Sequence, residues 1–528
     1  MFIFRARDFA VVPIITAVLL VLPCFAGAPP SPSAPLTGIA RDEEPVLIDG
    51  GSFPDLIGRA IPDIALFRYN PSSAAFEPIP FQIDERVNHV FNPGTQLEFV
   101  ETMYDVFHED DGLLDDIDIV AVLFGDAGSQ APADAAWPAG AEALRVDVSL
   151  TDPRPGSNPL RWLYVFTGPS LPRSPVRYVA WNLAANGSIT TDLFAIDYAD
   201  RWLLTGYRVF PPCGSGVDLI DRVKGRAVPI ALNAEDEENW NNNSWYLGGI
   251  LGPVRAIRYV RGATSGVNTI HHDLVYRGFW KRTIRLRVHP IAEASIYIDW
   301  RPTPAGTQIF TPLVPSGVPI DGNPDASMPS TWVPWSVIRH PGGGLVVLYD
   351  IPDTGQFQSK SFTYRDDSGH NDQVPANPGY SDEDHAAYGN IGVKITRNAD
   401  CNIDPILMEF RAYPICGGVG DTTMGDGYNQ FVQYPLQRSV IPEWKAANPV
   451  RTLRLRRETS DFVLDWQSVS GATTYRVHAS AFPDAPRSSW TALSEVSALT
   501  YRDPGAGDPG PNRFYSVSAV NAAGQEVW

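Results

Sequence analysis

From about Glu44 to Leu436 the chain runs as short stretches of alternating apolar and polar residues. Turns rich in Pro, Gly, Asn and Asp separate them. Residues 161–166 read Arg-Trp-Leu-Tyr-Val-Phe. Residues 344–349 read Gly-Leu-Val-Val-Leu-Tyr after the turn Gly342-Gly343-Gly344, and residues 406–410 read Ile-Leu-Met-Glu-Phe. Apolar runs this short, bounded by turn residues, predict strands; no segment of convincing length carries a helical period. Strands over most of the chain predict an all-β fold, with one large β-sandwich or two stacked ones across residues 44–440. One run alternates cleanly. As a strand, residues 281–289 place Lys281, Thr283, Arg285, Arg287 and His289 on one face. Ile284, Leu286 and Val288 lie on the other, together with Arg282.

Composition supports this reading: 48 prolines and 44 glycines favour strands and turns over helices. A length of 528 residues predicts two or three domains. Residues 1–28 read as a secretory signal. Arg5 and Arg7 precede an apolar run at 11–22 that is too short to span a bilayer, and Ala26-Gly27-Ala28 offers a cleavage pattern. Pro29 directly after that cut is unfavourable, so cleavage after Ala26 stays open. Cys24 raises lipidation, against which Pro23 argues. Residues 29–43 open as Pro-Pro-Ser-Pro-Ser-Ala-Pro and predict an extended linker. No other run predicts a membrane helix, so the mature protein is expected to be secreted or periplasmic, without stable membrane insertion.

The formal charge of −19 excludes a nucleic-acid partner for the chain as a whole. Cys213, Cys401 and Cys416 remain after the signal, and an oxidising compartment allows a disulfide. Cys401–Cys416 is the expected pair because a short loop is easily closed, leaving Cys213 as a free or buried thiol.

Residues 81–85 (Phe-Gln-Ile-Asp-Glu) and 109–120 concentrate acids around Gly112, ahead of an apolar strand. Oxygen ligands without cysteine suit calcium better than zinc. In an EF-hand register Glu109, Asp111, Asp115 and Asp118 are ligands, but Phe107 falls at the first position, so a standard EF-hand is excluded. A different cage, with Asp84 or Asp126 nearby, remains as the expectation. The plainer alternative is a solvated acidic turn.

A basic patch stands against the acidic background. Arg255, Arg258, Arg261, Arg277, Lys281, Arg282, Arg285 and Arg287 face only Asp273 in sequence. Like charges on one strand face repel, so either an anionic polymer or the protein's own acids must offset them. His271-His272-Asp273 lies within the patch, with Tyr276 and Arg277 shortly after. Uronate elimination needs a base for the C5 proton and a cation for the carboxylate, which makes His272 or Tyr276 the candidate base and Arg277 the neutraliser. Adjacent histidines on a strand point to opposite faces, so at most one faces a cleft. Trp332, with Trp335, is the candidate sugar-stacking residue, although tryptophan in a β-protein is more often core. Acidic, His-containing loops at 366–372 and 381–385 are further metal candidates. No nucleophile elbow, phosphate loop or dinucleotide fingerprint is present.

Two stretches resemble known families. The spacing of Trp466, Tyr475 and Tyr515 in residues 449–528 resembles a fibronectin type III domain, which implies a spacer or binding module with Trp466 in its core. Residues 78–84, 120–128 and 252–258 are similar to parts of secreted proteins with a galactose-mutarotase-like supersandwich, a group that includes rhamnogalacturonan lyases. Two functions stay open. The first is a secreted protein that binds or eliminatively cleaves an acidic polysaccharide, using His272, Tyr276 and Arg277 with Arg255, Arg258, Lys281, Arg285, Arg287 and Trp332. The second is a non-catalytic extracellular adhesion protein stiffened by calcium, its partner a cell-surface glycan.

Overall fold

The computed structural model describes residues 39–528 apart from 97, 133–134, 143, 158, 230–233, 264–267, 287–290, 302–305, 327, 353–356, 370–385, 398–405, 417–419, 445–452, 470–471, 483–488, 508–512, 522–525 and 528. The signal peptide and most of the expected linker lie outside these residues, as do Arg287, Cys401, His370 and His385.

The fold is all-β, built from antiparallel sheets. Residues 44–440 hold separate hydrophobic cores rather than one. In the first sandwich, strands Pro45–Asp49, Ile119–Leu123 and Gln82–Asp84 form a three-stranded sheet. It faces a five-stranded sheet with strands Ile64–Asn70, Leu144–Thr151 and Leu160–Thr167 at its centre. Ile48, Phe67, Val122, Val148 and Phe166 fill the space between them. Strand Gln437–Trp444 returns from the far end of the span to pair with Leu144–Thr151. Arg41, inside the expected linker, is buried and bonded to Asp152 at 2.9 Å, so the ordered core begins before residue 43.

The second sandwich is larger. A nine-stranded sheet contains, in adjacent order, Trp245–Leu251, Arg255–Arg261, Ile270–Tyr276, Trp280–Leu286, Ile406–Pro414 and Leu345–Asp350. Its inner face packs on a five-stranded and a three-stranded sheet around Val260, Trp280, Ile284, Val347 and Met408. Its outer face carries a second apolar cluster, covered in part by the hairpin Arg86–Phe91/Phe99–Tyr104 and by a helix, Thr422–Gln433.

That helix departs from the sequence expectation. Asp421 caps it by accepting from the Thr423 N–H at 2.9 Å. Met424, Tyr428 and Val432 recur at helical spacing and pack on the sheet. Gly425 and Gly427 weaken the pattern, yet the packing requires them. A Cβ at Gly425 would sit 2.3 Å from the Trp335 ring, and one at Gly427 would sit 2.4 Å from Ile39 Cδ1.

Residues 454–527 form a seven-stranded sandwich. Its three-stranded sheet is ordered Arg454–Glu458, Asp461–Asp465, Thr500–Asp503. Its four-stranded sheet is ordered Thr491–Val496, Ala472–Ser480, Phe514–Asn521, Glu526–Val527. Trp466 and Tyr475 meet in its core with ring centroids 5.5 Å apart.

Candidate functional site

The basic patch divides between the two faces of the nine-stranded sheet. Alternation on Arg255–Arg261, Ile270–Tyr276 and Trp280–Leu286 sends Arg258, His271, Asp273 and Arg282 into the inner core and Arg255, His272, Tyr276, Lys281 and Arg285 outward.

On the inner face Asp273 lies opposite both Arg258 and Arg282 in register. It accepts from Arg282 Nε at 2.8 Å and Nη2 at 3.0 Å, and from Trp280 Nε1 at 2.9 Å. Arg258 donates to the carbonyls of Arg201 at 2.8 Å and Ala185 at 2.6 Å, with its guanidinium 4.0 Å from the Tyr198 ring centre. All these charged groups are at most 1 % exposed. Arg258 therefore does not meet substrate, which corrects its expected binding role: its charge is neutralised inside the protein. Although buried, Asp273 is held well below the usual carboxylate range, because Arg282 beside it favours its charged form. Burial depresses the His271 pKa to about 4, so the ring is neutral.

On the outer face Arg255 is also fully buried. Its Nη2 lies 2.6 Å from Asp84 Oδ2, and its Nη1 donates to the Tyr276 hydroxyl at 2.6 Å. Three expectations fall with this cluster. Arg255 is not free for substrate. Tyr276 is a hydrogen-bond acceptor whose pKa burial raises to about 12, which unfits it as a base. Asp84 is the counter-charge of Arg255 rather than a metal ligand. Arg277 follows the strand and turns away, donating to Asp192 at 2.7 Å and to Glu43. His272 and Tyr276 share a face but sit four residues apart, about 13 Å along a strand. His272, Tyr276 and Arg277 thus do not converge among the described residues.

A different group does converge. In register, Lys281 lies opposite Arg411 and Thr283 opposite Glu409. Glu409 accepts from Lys281 Nζ at 2.6 Å, from Arg411 Nη2 at 2.9 Å and from Thr283 Oγ1 at 3.3 Å. Nearby, Arg285 pairs with Glu101. The His272 ring lies 4.9 Å from Tyr259 and 6.5 Å from Tyr104, centre to centre. Burial first, then Lys281 and Arg285, press its pKa down to about 3. The acids lie deeper than the cations: the Glu409 side chain is 10 % exposed against 23 % for Lys281 and Arg411, and Glu101 is 4 % exposed against 38 % for Arg285. This group therefore presents positive charge outward over buried counter-charges. Glu409 and Arg411 were missed in the sequence, although a Glu interrupting the apolar run 406–410, with Arg two residues on, marks one strand face.

Trp332 does not offer an open stacking face: it packs against the inner core, with Lys360 Nζ 4.0 Å from its ring centre. Trp335 is buried. In the acidic loop Asp118 is fully buried, accepts from the Arg86 N–H at 2.9 Å and the Asp115 N–H at 2.7 Å, and stands outside the group of oxygens that could hold a cation. Burial raises its pKa to about 6. Glu109 pairs with His89 at 2.9 Å, and Asp115 stands outside the ligand group. Of the five expected ligands only Asp111 joins a group able to hold a cation, with Glu85 and Asp110, their oxygens within 4.8 Å of one another. Gly112, at φ +77°, turns the loop so that its N–H reaches Glu85 at 2.7 Å.

The expected Cys401–Cys416 pair is replaced by Cys213–Cys416, which closes a separation of 203 residues. The fold brings the turn at 210–216 against the sheet, where Ser215 N donates to the Gly342 carbonyl at 2.7 Å. Because loop-closure cost grows slowly with length, this spatial adjacency outweighs sequence proximity.

No family model and no curated protein matches the chain. Among solved structures it is similar to a beta-1,2-glucanase from Parabacteroides distasonis, at 11 % sequence identity and a TM-score of 0.14. The match covers 67 % of this chain and 38 % of that one, so the chain spans well under half the length of that protein. No helix among the described residues is long and apolar enough to cross a membrane.

Proposed function

We propose that this is a secreted or periplasmic protein that binds an acidic polysaccharide along the outer face of the nine-stranded sheet. The carrying observation is the cluster in which Lys281, Arg285 and Arg411 stand outward over the buried carboxylates of Glu409 and Glu101. Guanidinium forks suit uronate carboxylates, and the half-buried rings of His272 and Tyr104 suit sugar faces. Calorimetric titration with a panel of acidic polysaccharides tests this. Arg411→Ala is expected to weaken binding by about tenfold, as loss of a charge-assisted pair does. Arg277→Ala, outside the cluster, is expected to leave it unchanged. Equal binding by both variants would remove the cluster from the account.

A second reading, eliminative cleavage, is favoured by one observation: burial lowers the Lys281 pKa. A lowered pKa favours Lys281 as proton acceptor, although Glu409 at 2.6 Å holds its charged form, and Arg411 shares that carboxylate beside it. Ultraviolet absorbance from a new sugar double bond, rising with pH and lost in Lys281→Ala, separates cleavage from binding alone.

Calcium is proposed at Glu85, Asp110 and Asp111. One oxygen, Asp110 Oδ2, is buried there without a hydrogen-bond partner, which fits a missing ligand. Calcium at a hundredfold excess over its dissociation constant is expected to add about 2.7 kcal/mol of stability, read as a higher unfolding midpoint and absent in Asp110→Asn. The sandwich at 454–527 is proposed to be a fibronectin type III-like accessory module.

A further inference from the structure

Where the helix Thr422–Gln433 lies across the outer sheet face, it leaves a cavity of about 690 Å³. One side is aromatic. Tyr413 and Tyr428 meet at 4.5 Å and Tyr428 and Phe431 at 5.4 Å between ring centres, with Met424 beside them. The other side carries Glu43 and Arg277, which also line a second cavity of about 510 Å³ beside Asp126.

The charges around Glu43 do not balance. Arg41 is taken by Glu44 and Arg161 by Asp42. Arg277 is shared between Asp192, which accepts from its Nε at 3.0 and 3.2 Å and its Nη2 at 2.7 Å, and Glu43, which accepts from its Nη1. Glu43 Oε2 and Asp126 Oδ2 are buried without any hydrogen-bond partner. A buried carboxylate oxygen left unmatched is costly unless a donor meets it. The cavity is lined by two carboxylates, Glu44, which Arg41 holds, and Glu43, together with aromatic rings and a thioether. That combination of a negative charge with π-faces recognises organic ammonium ions.

We propose that this cavity binds an organic ammonium ion with an apolar body, its cation between Glu43 and Tyr428 and its body against Met424 and Phe431. The volume lies within the range of small-molecule sites. The proposal is independent of polysaccharide binding, although Tyr413 and Arg411 share one strand face.

The test is calorimetric titration of the full chain with phenethylammonium, its neutral isostere phenethyl alcohol, and phenylacetate. Phenethylammonium is expected to bind at least about tenfold tighter than the alcohol, and phenylacetate the most weakly. Glu43→Gln is expected to remove the preference for the cation while leaving the alcohol unaffected. Met424→Trp, which fills the cavity, is expected to abolish binding of both. Should Glu43→Gln fold poorly, Tyr428→Leu takes its place and is expected to narrow the same preference. Equal affinity of amine and alcohol, no measurable heat at millimolar amine, or an unchanged preference in the folded variants would overturn the proposal.

Discussion

Asp273→Ala is expected to destabilise the central sandwich by about 3–5 kcal/mol, the usual cost of removing one partner from a buried ion pair. The cause is what remains behind. Arg282 and Arg258 stay in the core at 1 % and 0 % exposure, and Trp280 Nε1 loses its acceptor. Carbonyls of Ala185, Asp200 and Arg201 accept from the Nη atoms of Arg258, whose Nε stays without a partner, and Arg282 has no described hydrogen-bonding carboxylate except Asp273. The double change Asp273→Leu with Arg282→Leu is expected to recover much of the loss, because the penalty arises from the uncompensated charge rather than from the missing bond. Arg301→Ala, on a side chain 45 % exposed whose partners Asp218 and Asp221 also reach solvent, is expected to cost less than about 1 kcal/mol. Denaturant midpoints of the three variants decide the matter. A loss below about 1 kcal/mol in Asp273→Ala would mean that water reaches the cluster and that the guanidinium is not buried in the sense argued.

The same cluster shows what the sequence could and could not convey. Period-two alternation correctly placed Lys281, Thr283 and Arg285 on one face and Arg282 with Ile284 on the other. It could not show that both faces of this sheet are covered, the inner by the opposing sheets and the outer by a hairpin and a helix. Covering turns Arg255, Arg258 and Arg282 from surface charges into buried, paired ones. Their partners are Asp84, distant in sequence, backbone carbonyls and Asp273. Strand residues 161–166, 345–349 and 406–410 were legible because each is a short, mainly apolar run bounded by turns. The helix Thr422–Gln433 was not, because the two glycines that let it close on Trp335 and Ile39 weaken its own pattern. Glu409 and Arg411 escaped notice because their importance depends on pairing with a strand more than a hundred residues earlier.

Cys416→Ser is expected to produce the other large loss. The Cys213–Cys416 bridge closes 203 residues, and the chain-entropy relation assigns a loop of that size roughly 5 kcal/mol. Its location adds to this. The bridge fixes the turn at 210–216 to the end of strand Ile406–Pro414, and both cysteines stand in the wall of the cavity beneath the helix. Opening the bridge therefore frees the turn and loosens the seat of the helix together. Cys213→Ser is expected to match Cys416→Ser, and the double variant to cost no more than either alone, since all three remove a single bond. A non-reducing peptide map of the purified protein gives the covalent answer directly. A fragment joining Cys213 to Cys416 supports the assignment and an oxidising compartment. A fragment joining Cys401 to Cys416 would restore the short loop and remove the link between the turn and the sheet.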